Sequence, residues 1–136
     1  MSHHMQVLQP PGWAKPRGYA NGIAAHGRLV FVAGQVGWTA QGELVDRAFV
    51  PQARQALANI VAVLAQAGGR PEDLVRLTWY VADAKEYLAA LRELGAVYRD
   101  VIGRHYPVMT AIQVAAFVEE GARVEIEATA VVPDAR

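Results

Sequence analysis

The chain contains YPVMT at residues 106–110 and VEIEA at residues 124–128. The second stretch alternates apolar residues with Glu125 and Glu127, which is the period-two pattern of a half-buried β-strand. Successive side chains of a strand point to opposite faces, so both carboxylates lie on one face and the apolar side chains on the other. The stretch therefore predicts a strand with one core face and one acidic face.

The surrounding sequence extends both stretches into strands, over residues 108–117 and 123–132. Glu-Glu-Gly at residues 119–121 predicts the turn of a hairpin between them. In the first of these strands, Met109 shares a face with the residues two and four positions further on, an alanine and a glutamine. That face therefore carries little charge.

Two more strands are predicted upstream, over residues 19–25 and 29–36, with a tight turn between them. Residues 29–33 are apolar without alternation, which favours a central strand covered on both faces. Residues 1–17 are rich in proline and glycine and are expected to form an irregular arm. Its first part, residues 1–4, resembles the remnant of an affinity tag and carries no functional argument.

Apolar residues at helical spacing predict an amphipathic helix over residues 51–67, closed by a glycine pair. A strand is expected over residues 74–81. Asp83 with Glu86 three residues later resembles a capping box that begins a second helix, which ends at Gly103.

The predicted order is β-β-α-β-α-β-β, an α+β fold in which two helices cover one face of a mixed sheet. The length of 136 residues allows one domain, residues 1–136, with its own core. No helix is left for the second sheet face. An uncovered, partly apolar sheet face favours oligomerisation by sheet packing.

Composition excludes several classes of function. Thirteen basic and thirteen acidic side chains cancel, which disfavours nucleic acid as a partner. The absence of cysteine excludes thiolate catalysis and disulfides, and the only serine, Ser2, lies in the presumed tag. His26 and His105 do not have the spacing of metal ligands. No apolar run is long enough to cross a membrane, and we expect a cytoplasmic protein that uses neither a metal nor a cofactor.

Five segments in order resemble the YjgF/RidA family of reactive intermediate deaminases, also called endoribonuclease L-PSP. They are residues 18–22, 32–36, 52–60, 106–107 and 124–128, and the resemblance extends from about residue 18 to residue 132. It implies a chorismate-mutase-like fold and a homotrimer with a small-molecule pocket at each subunit interface. The activity it implies is the hydrolysis of enamines and imines.

The resemblance also implies a set of site residues. Glu125 matches a glutamate that positions or activates water, and a carboxylate in such a pocket can act as a general base or acid. Met109 stands where the family's deaminases carry an arginine that grips the substrate carboxylate. Methionine can neither donate a hydrogen bond nor neutralise a charge. The alternatives are a less acidic substrate or another cation.

Further candidates for substrate binding follow from the same resemblance. Tyr19 matches the family's pocket tyrosine, and packing against the sheet is the alternative role. Gln35 belongs to the segment that resembles the family's SGQ motif, and it is either a ligand contact or a brace for nearby backbone groups. Arg17, Arg104 and His105 are the candidates for a replacement cation.

Three functions remain open from the sequence. The first is a RidA-like hydrolytic deaminase of a small imine, enamine or related conjugated amine. The second is a trimer that binds a small metabolite at its interfaces without turnover. The third is an L-PSP-type ribonuclease, which the neutral charge balance disfavours.

Overall fold

A computed structural model describes residues 4–135. Within that range the chain forms six strands, three α-helices and one 3₁₀ turn at Pro71–Asp73. In chain order the elements are β1 Met5–Leu8, β2 Gly22–Ala25, β3 Arg28–Gln35, α1 Phe49–Ala65, β4 Leu74–Val81, α2 Ala84–Ala89, α3 Leu91–Val101, β5 Val108–Gln113 and β6 Val124–Val132.

Four strands form one mixed sheet in the order β3-β6-β4-β5. β4 and β5 are parallel, and the other two pairs are antiparallel. The predicted α+β fold with a mixed sheet is confirmed. The predicted hairpin between the last two strands is wrong, because β4 lies between them. The intervening chain bonds to the end of β4 on both sides: Val114 N donates to Val81 O, and Ala82 N donates to Arg123 O.

The N-terminal arm is not wholly irregular, contrary to the prediction for residues 1–17. β1 pairs antiparallel with β2, from Met5 opposite Ala25 to Leu8 opposite Gly22. These four residues are followed closely by two prolines, so the sequence offers too short a pattern to identify as a strand. Of the presumed tag residues, 1–3 lie outside the described range.

The predicted amphipathic helix is confirmed as α1. The side chains that face the sheet are fully inaccessible to solvent: Ala53, Ala56, Leu57, Ile60 and Leu64. α1 packs on β3 and β6 and against α3. The chain then passes through Gly68, whose φ of 73° is the left-handed conformation that commonly follows a helix.

The single second helix of the prediction is divided in two at Ala90. Asp83 begins α2 as predicted, since its carboxylate accepts from the backbone N–H groups of Lys85 and Glu86. The Glu86 carboxylate instead accepts from Arg123, at 2.7 Å from Nη2, so the expected reciprocal cap is absent. Leu88 and Leu91, on either side of the break, are both exposed.

One face of the four-stranded sheet has no helix on it. On β3 the side chains of Leu29 and Phe31 point to this open face, and they are 64% and 73% exposed. Their neighbour Val32 points to the helices and is buried. The expectation that residues 29–33 form a central strand covered on both faces is therefore wrong for the single chain, where β3 is an edge strand.

A buried glutamine joins three segments of the chain. Gln52, in the first turns of α1, is inaccessible to solvent. Its Nε2 donates to Asp46 O at 2.9 Å and to Gly121 O at 3.0 Å, and its Oε1 accepts from Arg123 N at 2.7 Å. The amide thus fixes the loop before α1 and the entry to β6 against the helix.

We predict that Gln52→Ala lowers the free energy of unfolding by about 3 to 5 kcal/mol, because the substitution leaves buried backbone groups without partners and opens a cavity. Gln66→Ala, at the exposed C-terminal end of α1, should change it by less than about 0.5 kcal/mol. Urea denaturation at one protein concentration measures both. Equal effects of the two substitutions would contradict the role given to Gln52.

Candidate functional site

Two carboxylates lie on the open face of the sheet, as predicted. Glu125 and Glu127 on β6 alternate with Val124 and Ile126, which are fully buried beneath the helices. Glu125 is paired with Tyr80 of β4. The acidic face of β6 is therefore directed away from the helices.

Tyr80 interacts with the second carboxylate. Its hydroxyl donates to Glu127 Oε2 at 2.9 Å. This hydrogen bond is the main cause that raises the pKa of Tyr80 above its ordinary value of 10.0, with further contributions from desolvation and from the charges of Glu127 and Glu125. The phenol stays protonated and holds Glu127 in place at neutral pH.

The carboxylate of Glu125 lies over a glycine of β3. A Cβ atom on Gly34 would collide with Oε2 of Glu125 and would lie 2.9 Å from its carboxyl carbon. The register of β3 against β6 shifts between Val32 and Gln35, so Gly34 sits at a bulge. The missing side chain leaves the space that the Glu125 carboxylate occupies.

The side chain of Gln35 braces the loop that follows β3. Its Nε2 donates to Ala33 O at 3.1 Å, and its Oε1 accepts from Trp38 Nε1 at 3.2 Å. These contacts agree with the structural alternative named for this residue. A role for Gln35 in substrate binding stays a prediction.

Met109 lies on the opposite face of the sheet from Glu125. It is paired in register with Leu77, which is fully buried beneath the helices, and it packs against the same core. Glu125 is paired with Tyr80 on the other face. One copy of the chain therefore does not bring these two predicted site residues together.

Three of the other candidates line one recess of about 490 Å³: Tyr19, Arg104 and His105. The N-terminal arm forms one wall, and the connection between α3 and β5 forms the other. Arg17 is exposed and is not among the lining residues. Trp13 and Lys15 of the arm line the recess instead, and neither was predicted from the sequence. The signal that could have indicated them is the spacing of an aromatic residue and a cationic residue two positions apart, beside Pro16.

The wall that contains His105 is fixed to the core. His105 Nε2 donates to Leu74 O at 2.6 Å, and its own carbonyl accepts from the Tyr98 hydroxyl at 2.5 Å. The next residue, Tyr106, stacks on Tyr98 with ring centroids 5.3 Å apart. Burial raises the pKa of Tyr98, which keeps this hydroxyl a donor. His105 is committed to the backbone, so Arg104 is the more available cation.

Residues 4–135 hold no cluster of three or more His, Asp or Glu side chains placed to bind a metal ion. None of the helices in that range combines the length and the apolar character that a membrane span requires.

Comparison with known proteins decides the family. The family model described as endoribonuclease L-PSP matches residues 14–132. The chain belongs to the YjgF/RidA family. Its relatives include a Capra hircus protein named 2-iminobutanoate/2-iminopropanoate deaminase, which is 38% identical over 105 residues, or 76% of this chain and 73% of the relative. The Escherichia coli protein named putative reactive intermediate deaminase TdcF is 29% identical over 96% of this chain and 98% of its own length.

Solved structures of YjgF/RidA proteins agree with this assignment. The conserved Rid-family protein YyfB from Yersinia pestis superposes with a TM-score of 0.82 and 34% identity, covering 95% of this chain and 99% of that chain. Escherichia coli TdcF, crystallised with bound serine, superposes with a TM-score of 0.68 and 29% identity over 93% and 98% of the two chains.

The hydrogen bond between Tyr80 and Glu127 predicts an alkaline titration. In Glu127→Gln the pKa of Tyr80 should fall towards 10, because the substitution removes the carboxylate that accepts the hydrogen bond of the phenol and whose charge opposes the phenolate. Because its pKa is raised, Tyr80 binds its proton more tightly in the folded state than in the unfolded state. The resulting contribution to stability is fully present below pH 10 and is lost as the pH rises through the folded-state pKa. Absorbance at about 295 nm follows the tyrosinate. Glu120→Gln, in the exposed turn, is the control and should leave the curve unchanged.

Proposed function

We propose that this protein hydrolyses a small imine, or the enamine that tautomerises to it, at a site formed between the subunits of a homotrimer. Water adds to the carbon of the C=N bond, the nitrogen leaves as ammonia after proton transfer, and the carbonyl compound remains. Glu125 accepts the proton of the attacking water. The reaction needs neither a metal nor a cofactor.

The placement of the Glu125 carboxylate is the observation that carries this proposal. The carboxylate lies on the sheet face that no helix of the chain covers, in the space that Gly34 leaves free. Glu127, two residues further along, is held by the Tyr80 hydroxyl. No hydrogen bond or ion pair engages the Glu125 side chain within residues 4–135. Of the two carboxylates, Glu125 is the one available to a water molecule.

The distribution of residues over the two sheet faces supports a site between copies. Met109 is on the helix face and Glu125 is on the open face, so a pocket with both requires a second chain. The open face also presents Leu29 and Phe31 to solvent. Exposed apolar side chains on one sheet face are typical of surfaces that pack against another copy.

The relatives support the reaction class. One of the proteins reported above is named a 2-iminobutanoate/2-iminopropanoate deaminase, and another is named a putative reactive intermediate deaminase. Met109 separates this chain from the pattern that the resemblance implies. Without a bidentate arginine, an amino-acid imine would lose a contact that typically contributes about 1.5 to 3 kcal/mol. We propose that the substrate is either less dependent on that contact or held by Arg104.

Binding without turnover is the second candidate function, and Met109 is the observation that favours it. A thioether neither anchors a carboxylate nor polarises an imine, so the same site could hold a metabolite without converting it. The ribonuclease activity named in the family description has less support, since the net charge is zero.

The first experiment generates 2-iminobutanoate with an amino-acid oxidase and follows its decay with and without the protein. We expect acceleration, and we expect Glu125→Gln to lower kcat by about 100-fold or more, because it removes a general base. Glu120→Gln removes a carboxylate from the exposed turn and should keep the full rate.

Sedimentation of each variant confirms that assembly is unchanged. If Glu125→Gln retains the wild-type rate in an intact oligomer, the catalytic role of Glu125 is wrong. If the substrate binds and no variant or wild-type protein accelerates its decay, binding without turnover is the function.

A second experiment restores the missing cation. Met109→Arg should raise kcat/KM for 2-iminobutanoate by about tenfold or more, mainly by lowering KM, because an arginine can bind a carboxylate through two hydrogen bonds. Val118→Arg adds the same charge at a fully exposed loop position and should leave kcat/KM unchanged. An increase of equal size in both variants would reflect general electrostatic attraction and would contradict a specific carboxylate contact at position 109.

A further inference from the structure

The short helix α2 buries little of its own surface against the rest of the chain. None of its six residues is buried, and Leu88 is 61% exposed. Tyr87 is the side chain of α2 that packs on the core, where its ring meets Trp79 and Phe49 edge-on at centroid distances of 6.3 and 6.5 Å. Segments with so few buried apolar contacts open at a lower free energy than a packed core does.

Polar contacts near the surface hold α2 in place instead. At its start, Ala84 N donates to Gln113 Oε1 of β5 at 2.8 Å. One turn further, Glu86 Oε1 accepts from Arg123 Nη2 at 2.7 Å and from Arg123 Nε at 3.1 Å. The two side chains of this ion pair are 35% and 37% exposed, so water and salt weaken their attraction.

α2 covers a buried donor that has no acceptor. Trp79 is only 5% exposed, and within residues 4–135 its Nε1 has no hydrogen-bond partner. A buried donor without a partner costs free energy, and the cost disappears when the donor reaches water. Because the Tyr87 ring packs on the Trp79 ring, movement of α2 away from the sheet uncovers the indole. The unpaired donor therefore favours opening.

The chain on either side of α2 is anchored. Ala90, between α2 and α3, is buried and has φ −100° and ψ 6°, which interrupts the helix. On the other side, Ala82 N donates to Arg123 O at 3.0 Å, and Arg123 N donates to Gln52 Oε1 at 2.7 Å. Neither of these bonds involves α2. The start of β6 therefore keeps its place when the Arg123 side chain releases Glu86.

We propose that α2 is a flap that opens as a unit between Ala82 and Ala90, and that the ion pair of Glu86 with Arg123 is its latch. Opening uncovers Trp79, while α3 and the sheet stay folded. The proposal is independent of the imine hydrolysis, because it concerns a movement of the chain and involves no residue assigned to the substrate.

Hydrogen exchange of the assembled protein, followed by nitrogen-15 NMR, tests the flap. The amides of residues 87–90 should share one opening equilibrium and exchange at least about 100-fold faster than those of residues 56–64 in α1, after correction for intrinsic rates. The indole N–H of Trp79, identified by its loss in Trp79→Phe, should exchange through the same opening. Exchange of this indole together with α1, or of residues 87–90 together with α3, would overturn the proposal.

Two variants test the contacts that hold the flap, and a third is their matched control. Glu86→Gln removes the latch and should raise the exchange rate of residues 87–90 by about two- to fivefold. Gln113→Ala removes the acceptor at the start of α2 and should raise it as well. Arg54→Gln breaks an exposed ion pair with Asp100 that joins α1 to α3, and should leave these rates unchanged.

Salt gives an independent test of the latch. Raising the ionic strength from about 0.05 M to about 0.5 M should accelerate exchange of residues 87–90 in the wild type and not in Glu86→Gln. An equal response of the two proteins to salt, or an effect of Arg54→Gln as large as that of Glu86→Gln, would show that the ion pair is not the latch. All of these rates are measured without substrate, so none depends on whether Glu125 supports turnover.

Discussion

The four-stranded sheet has helices on one face only, and most of the structure's functional features depend on that constraint. α1 packs on β3 and β6 and against α3, and the alternate residues of β3, β4 and β6 that face the helices are buried. The remaining alternate residues, among them Phe31, Glu125 and Glu127, lie on a face that the chain itself leaves open. We propose that the acidic pair and the exposed aromatic surface on this face form a half-site, which a second copy completes.

Two residues, Gln52 and Gly34, fix the strand that carries Glu125 and make room for its carboxylate. Gln52 fixes the loop before α1 and the entry to β6 through three hydrogen bonds, so the strand that carries Glu125 has a defined start. Gly34 then leaves room for the Glu125 carboxylate against β3. Both residues lie in the segments by which the sequence resembles the YjgF/RidA family. Gln52 and Gly34 therefore each have a physical role in these segments: the first fixes the start of β6, and the second makes room for a side chain of β6.

Much of this fold could be predicted from periodicity alone, because alternation in residues 124–128 and helical spacing in α1 reflect burial within one chain. The pairing of the strands could not be predicted in this way. The connection after β5 crosses the end of β4, and only tertiary contacts distinguish this arrangement from a hairpin. For the site, alternation predicted that both carboxylates of β6 lie on one face. That Met109 and Glu125 lie on opposite faces of the sheet follows only from the pairing of β5 with β4. The spacing of Trp13 and Lys15 beside Pro16 is a local signal for a binding residue, but it does not show that Lys15 lies opposite Arg104, because that placement depends on tertiary contacts.

The central claim is that the reaction requires a site completed by a second chain, and association measured together with turnover tests it most directly. Sedimentation equilibrium of the wild type should give about three times the 14.7 kDa mass of the chain. Phe31→Asp places a charge on the open face and should lower both the mass and the rate of 2-iminobutanoate hydrolysis, whereas Val63→Asp, on exposed helix surface, should lower neither. A folded, monomeric Phe31→Asp protein with the full wild-type rate would contradict the account.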